Sequence, residues 1–273
     1  MSSRIAGRFA ALRASGRTGL VTYVTAGDPD LQRSGDILRA LDRAGADVVE
    51  VGVPFSDPLA DGPVIQRASE RALASGTTLA GTLDMIEGVR GDLGAAIVVF
   101  TYANPVLRFG AERFAARAAA AGVDGVLVLD LPIEEADGLR RTIVEAGMDP
   151  IFLLSPTTTD DRIRRAAELG RGFLYGISRL GVTGARADVA AGVRGLVGRI
   201  RAVTALPVAI GFGLSRPEHL REVGEYADAG VVGSALVDTI AREAGSAGLT
   251  SAVERYVGWL RGDGGARGGA GAA

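Results

Sequence analysis

One carboxylate stands out where a carboxylate is costly. Glu50 sits inside the run VVEVGV, in a strand whose neighbours are almost all apolar. Period-two alternation turns Val49, Val51 and Val53 to one face and Val48, Glu50 and Gly52 to the other. An inward-facing, desolvated carboxyl is expensive unless paired or used, and its pKa should rise toward the range of a general acid. The apolar strand cores Leu20–Thr25, Ala96–Tyr102 and Pro207–Phe212 offer it no cation, which favours chemistry over an ion pair. Gly52, next on the same face, is expected to leave room for a ligand. Asp57 and Asp61 follow in a loop with Pro54, Pro58, Gly62 and Pro63. Either Asp could cap the helix that starts near Pro63, or Asp61 could work beside Glu50 as the second of a carboxylate pair.

A second group of residues suits an anion. Gly211-Phe212-Gly213 ends one apolar run, Gly233-Ser234-Ala235 ends another and opens a helix, and Gly181, Thr183 and Gly184 lie in a loop after a third. Backbone amides freed by glycine, together with a helix N-terminus, make a phosphate site. Phe100, Tyr102, Tyr175 and Phe212 at strand ends can sandwich an aromatic group. Asn104-Pro105 reads as a turn, Asp130 as a pocket or capping residue, and His219, among Arg216, Glu218, Arg221 and Glu222, as a surface residue.

Absences narrow the chemistry further. The chain has no Cys, one His, and no Lys, its 30 basic residues all being Arg. Thiolate nucleophiles, zinc clusters and a bound metal are therefore not expected, nor is a Schiff base to a carbonyl or to pyridoxal phosphate. A formal net charge of −2 argues against a nucleic-acid surface. The apolar runs are too short to span a membrane. No apolar signal region follows Met1, and Ile5, Phe9 and Leu12 mark one face of a short helix ending at Gly16, so a cytoplasmic location is expected.

The elements that must hold these residues repeat along 273 residues. Eight β-rich runs begin near Leu20, Val48, Ala96, Gly125, Pro150, Phe173, Pro207 and Ala229, with amphipathic helical patterns between them. Near-continuous apolar strands alternating with helices predict a parallel sheet, and eight such units in one undivided domain predict a (β/α)8 TIM barrel with an added N-terminal helix. The barrel domain is expected over 1–261, and the Gly/Ala-rich segment 262–273 as a disordered tail. Two steps are long, Val48 to Ala96 and Phe173 to Pro207. Their surplus is assigned to the loops PFSDPLADGP and SRLGVTGARAD, where an active-site lid and floor belong.

These blocks, in this order, resemble the tryptophan synthase alpha subunit family. The resemblance is carried by TAGDPD (Thr25–Asp30), VEVGVPFSDPLADGPVIQ (Val49–Gln66), TYANPV, DGVLVLDLP, FLLSPTTT, YGISRLGVTGAR (Tyr175–Arg186), GFGLS and VVGSALV. Tyr23 stands where the family often has Phe. The resemblance implies reversible retro-aldol cleavage of indole-3-glycerol phosphate, with Glu50 handling the protons and Asp61 stabilising the charge that develops on the indole nitrogen. It implies that Gly184, Gly213, Gly233 and Ser234 hold the phosphate, that Tyr23, Phe100, Tyr102, Tyr175 and Phe212 line the indole site, and that Thr183 meets the Asp61 loop on closure. No cofactor is implied for this chain. A beta subunit carrying pyridoxal phosphate would take the indole, in an alpha2-beta2 assembly contacted through Pro54, Asp57 and Pro58. The competing readings are a stand-alone indole-releasing lyase, another phosphate-binding barrel enzyme, and a non-catalytic allosteric partner barrel.

Overall fold

The computed structural model describes residues 3–177, 186–211 and 213–262. In chain order the elements are α1 (Arg4–Ser15), β1 (Gly19–Thr25), α2 (Leu31–Arg43), β2 (Val48–Gly52), α3 (Pro63–Ala74), α4 (Leu79–Val89), β3 (Ala96–Thr101), α5 (Ala103–Phe109) and α6 (Ala111–Ala120). They continue through β4 (Gly125–Val128), α7 (Asp137–Glu145), β5 (Asp149–Leu154), α8 (Asp160–Leu169), β6 (Leu174–Ile177) and α9 (Arg186–Arg201). The chain then adds β7 (Val208–Gly211), α10 (Pro217–Gly224), β8 (Ala229–Val232), α11 (Ser234–Glu243) and α12 (Leu249–Arg261). All eight strands pair in parallel in sequence order, and β8 closes on β1. This is the expected TIM barrel.

Alternation along each strand sorts the apolar residues into two cores. Val49, Val51 and Val53 join the layer between barrel and helices. Val21, Val48, Val98, Leu127, Ile151, Phe173 and Val231 fill the interior, and Ile5, Phe9 and Leu12 of α1 close its lower end. The Phe9 and Phe173 rings lie 5.5 Å apart.

The lower face also carries a repeated polar device. Asp47, Asp124 and Asp228, each just before an even-numbered strand, accept the backbone N–H of Leu20, Ile97 and Val208 in the preceding strand at 2.8, 2.8 and 2.7 Å. An arginine meets each of them: Arg261 on Asp47, Arg4 on Asp124 and Arg201 on Asp228. Helix α1 spans this face as a strap. Ser3 donates to Asp149 at 2.5 Å, Arg8 to the Gly94 carbonyl at 3.2 Å, and Arg13 lies 3.9 Å from Asp228.

Two expectations are corrected. The surplus after β2 is mostly a second helix, α4, which buries Leu79, Leu83, Ile86 and Val89 and is capped by Thr78 accepting the Gly81 N–H. Asn104-Pro105 lies inside helix α5, where proline is tolerated because first-turn amides have no partner within the helix. Helix α12 ends at Arg261, with Gly262 as its left-handed C-cap. Residues 263–273 lie outside the described residues, as does the whole loop between β6 and α9 (178–185).

Candidate active site

Strand β2 places Glu50 on the barrel interior in register with Tyr23 of β1 and Val98 of β3. It is fully buried, and neither carboxylate oxygen has a hydrogen-bond partner. Desolvation alone pushes its pKa up from 4.5 to about 8. The ion-pair alternative is thereby removed, because no arginine of the described residues reaches it.

Gly52 does not make room for a ligand, as its position on the strand suggested. A Cβ there would fall on the Tyr23 hydroxyl, so the glycine seats the neighbouring strand's phenol. The register explains this seat: Thr25 pairs with Gly52, and Tyr23, two residues earlier, leans up the barrel over it. The same arrangement recurs across the barrel, where Tyr175 of β6 lies over Gly211 of β7. Tyr23 and Tyr175 are both buried, and burial is the main cause that raises both phenols, with the Glu50 charge adding to each. Tyr23 meets Phe100 edge-on at 5.2 Å, in a small cluster with Ile65, Ala68 and Val237.

The carboxylate pair is completed from the loop. Asp61 is not a helix cap. The N-cap of α3 is Gly62 with no side-chain bond, while the Tyr102 hydroxyl donates to Asp61 Oδ2 at 3.0 Å. Burial raises the Asp61 pKa, and the Tyr102 hydrogen bond opposes that rise. The Tyr102 hydroxyl also accepts the Ala60 N–H at 3.3 Å, and the Phe55 ring packs 5.1 Å from the Tyr102 ring. Gln66 donates to the Asp61 carbonyl at 2.9 Å. Tyr102, Phe55 and Gln66 therefore hold the loop and aim its carboxylate. Sequence reasoning gave Tyr102 only a place in the aromatic wall and missed the other two. Their positions inside the TYANPV and Val49–Gln66 blocks were the available signal.

Asp57 is also no cap, since it accepts from Ser56 Oγ at 2.5 Å and is exposed. Leu59 is 94% exposed at the crest of the loop. Pro58 is half-buried and Pro54 buried, so Pro54 shapes the loop without offering surface of its own. Behind the loop, Asp28 is 2% exposed and takes a two-pronged pair from Arg71 of α3 at 2.8 and 2.7 Å, tying the TAGDPD block to the helix after Asp61. Asp130 accepts the Ala103 N–H at 2.7 Å, at the first residue of α5, and also lines a hollow with Leu129, Pro132 and Leu153.

At the anion end, Gly233 is the N-cap of α11 with no side-chain capping bond, and Ser234 is the first helical residue. The free first-turn amides carry no competing acid. The space beside Gly233 adjoins the Tyr23 ring, whose nearest atom a Cβ there would meet at 3.8 Å. Gly213, at φ +52, begins the segment leading to α10. Thr183, Gly184 and Phe212 lie outside the described residues. Among the described residues no group of His, Asp and Glu side chains is arranged to hold a metal, and no helix is long and apolar enough to cross a membrane.

Comparison with known proteins agrees with this geometry. The family model described as tryptophan synthase alpha chain matches residues 9–258. A tryptophan synthase alpha chain of Geobacter sulfurreducens is 52% identical over 240 residues, covering 88% of this chain and 91% of its own. That of Solibacter usitatus is 46% identical over 265 residues, covering 97% and 99%. The structure of Mycobacterium tuberculosis tryptophan synthase superposes with a TM-score of 0.87 at 38% identity, covering 96% of this chain and 98% of that one. The alpha subunit from Legionella pneumophila gives 0.88 at 34% identity, with the same coverage. A match that runs from the first helix to the last, over a barrel whose inward carboxylate has no structural partner, means that the chain belongs to the tryptophan synthase alpha chain family.

Proposed function

We propose that Glu50 and Asp61 carry the chemistry of this alpha chain. The reaction is the family's: cleavage of indole-3-glycerol phosphate to indole and glyceraldehyde 3-phosphate. No cofactor belongs to this chain, the pyridoxal phosphate being that of the beta subunit, the partner to which the indole passes. Protonating indole C3 makes an indoleninium, whose iminium nitrogen is the electron sink. The bond from C3 to the glycerol carbon then breaks as that carbon's hydroxyl loses its proton and becomes the aldehyde. One proton enters and one leaves. A Glu50 with a pKa of about 8 is mostly protonated at neutral pH, gives the first proton and takes the second, and returns to its starting state. Asp61, held by Tyr102, stabilises positive charge at the indole N–H. Tyr23, Phe100, Tyr102 and Tyr175, with Phe212, enclose the ring. Gly213, Gly233 and Ser234, with Gly184, bind the phosphate, and Thr183 meets the Asp61 loop on closure.

The single observation that carries this reading is the buried, unpartnered Glu50. The outer side of the Asp61 loop, with exposed Asp57 and Leu59 beside a hollow lined by Phe55 and Leu73, is the proposed contact with the beta subunit. An alpha2-beta2 assembly in the cytoplasm completes the proposal. The test is indole release by the purified chain with and without its beta subunit, for the native protein, Glu50→Gln and Asp61→Asn. Each variant should lose about 100-fold or more of turnover while still binding substrate, and the partner should accelerate the native chain about ten-fold. Turnover of Glu50→Gln within a few-fold of native removes Glu50 from the mechanism. Full activity alone, with no response to any beta subunit of the same source, favours a stand-alone lyase.

A further inference from the structure

His219 is the chain's one histidine, and the mechanism above gives it no task. It is not the free surface residue that its charged neighbours suggested. At the third position of α10 it is half-buried, and its Nδ1 accepts the Ser215 backbone N–H at 3.3 Å. Side chains at this helical position commonly reach back to amides that precede the helix. The cap residue Arg216 makes no side-chain capping bond, so the imidazole does the reaching. From the opposite side, the Tyr256 hydroxyl of α12 donates to the Ser215 carbonyl at 3.3 Å. Burial lifts that phenol to about 12, which keeps it a donor. Two helices thus grip both backbone polar atoms of one residue.

What they grip is the exit of the phosphate loop. Leu214, between Gly213 and Ser215, is 3% exposed, and its Cδ1 lies 2.7 Å from where a Cβ on Gly230 of β8 would stand, so it too is pinned. Gly213, at φ +52, has a wide range of backbone conformations open to it. Gly213 imposes little restraint of its own, so the fixed Leu214 and Ser215 that follow are the anchor on its C-terminal side.

We infer that His219 and Tyr256 are positioning residues for phosphate binding: by clamping Ser215 they aim the Gly213 amide at the substrate's phosphate. The inference rests on the proposed placement of the phosphate at Gly213, Gly233 and Ser234. An N–H donated to Nδ1 requires the proton on Nε2, which fixes the tautomer.

The test uses the full chain, with kcat and KM for indole-3-glycerol phosphate and the inhibition constant of glycerol 3-phosphate. His219→Ala should raise KM and the inhibition constant about three- to ten-fold, the worth of one hydrogen bond, with kcat within about two-fold. His219→Gln, whose side-chain carbonyl can accept the same N–H, should restore most of the loss, and Tyr256→Phe should repeat it. Nitrogen chemical shifts of the lone imidazole should report the Nε2–H tautomer. Unchanged phosphate affinity in His219→Ala, an equal loss in the Ala and Gln variants, or the opposite tautomer overturns the clamp. Gly233→Asp separates the two readings. If it abolishes glycerol phosphate binding while His219→Ala does not weaken it, only the clamp falls. If it leaves affinity intact, the phosphate lies elsewhere and both fall.

Discussion

Glu50→Gln should make the protein more stable as it makes it inactive, and the gain should depend on pH. The folded chain holds the Glu50 proton with a pKa of about 8, against 4.5 for an ordinary glutamic acid. The native state therefore binds this proton more tightly than the unfolded state does. Its contribution to stability is complete below about pH 4.5, declines as pH rises through about 8, and then levels off. The gap corresponds to a ceiling of roughly 5 kcal/mol, about 3 of which are lost between pH 5 and pH 8. Glutamine has nearly the same shape and no charge to bury at any pH. The stability advantage of Glu50→Gln should thus widen by about 3 kcal/mol over that interval, or roughly 6–12 °C in Tm for a domain of this size. Thermal unfolding of both proteins across a pH series measures it, with indole release followed in parallel. Over the same range native turnover should fall as pH passes about 8, because the acid form disappears. A Tm difference that stays flat with pH would refute the reasoning, since Glu50 would then ionise as an ordinary carboxyl or have a partner when it does.

Tyr102→Phe removes the bond that restrains the rise in the Asp61 pKa. Asp61 is needed ionised, so the acidic limb of the rate profile should move to higher pH; an unmoved limb would mean the hydroxyl does not touch the working carboxylate. Gly52→Ala puts a methyl onto the Tyr23 phenol and should cost about 1–3 kcal/mol with a large loss of turnover. The cost should shrink in a Tyr23→Leu background, and additive effects in the double-mutant cycle would deny the contact. Asp57→Ala and Pro58→Ala should reduce the stimulation by the beta subunit more than the activity of the chain alone. Equal losses in both assays would move the partner's contact away from this loop.

The strands were legible because a sheet covered on both faces reads as uninterrupted apolar runs, and all eight begin within about two residues of those runs. Helix α4 was not, because Gly81 and Gly88 weaken a pattern that Leu79, Leu83 and Ile86 otherwise show. Glu50 announced itself as a charge where only apolar residues belong. What escaped depends on pairings between distant positions. Alternation put Gly52 on the correct face, but only the β1–β2 register shows that Tyr23 fills the space above it. The Tyr102–Asp61 bond joins residues 41 apart, and the Tyr256–Ser215 bond likewise spans 41. No local pattern encodes either.

The α1 strap has a consequence for how the chain reaches its native state. It precedes every strand of the barrel, yet its partners come later: Ser3 waits for Asp149, 146 residues on, and Arg4 for Asp124, 120 residues on. Arg13 reaches Asp228, just before the strand that completes the ring. Until then Ile5, Phe9 and Leu12 have no interior to enter, and a helix of 12 residues is marginal by itself. Such long-range closure slows folding and leaves an apolar face uncovered during synthesis. A helix made before any strand of the barrel is thus among the last elements to be seated, and its docking marks the moment at which the barrel is shut.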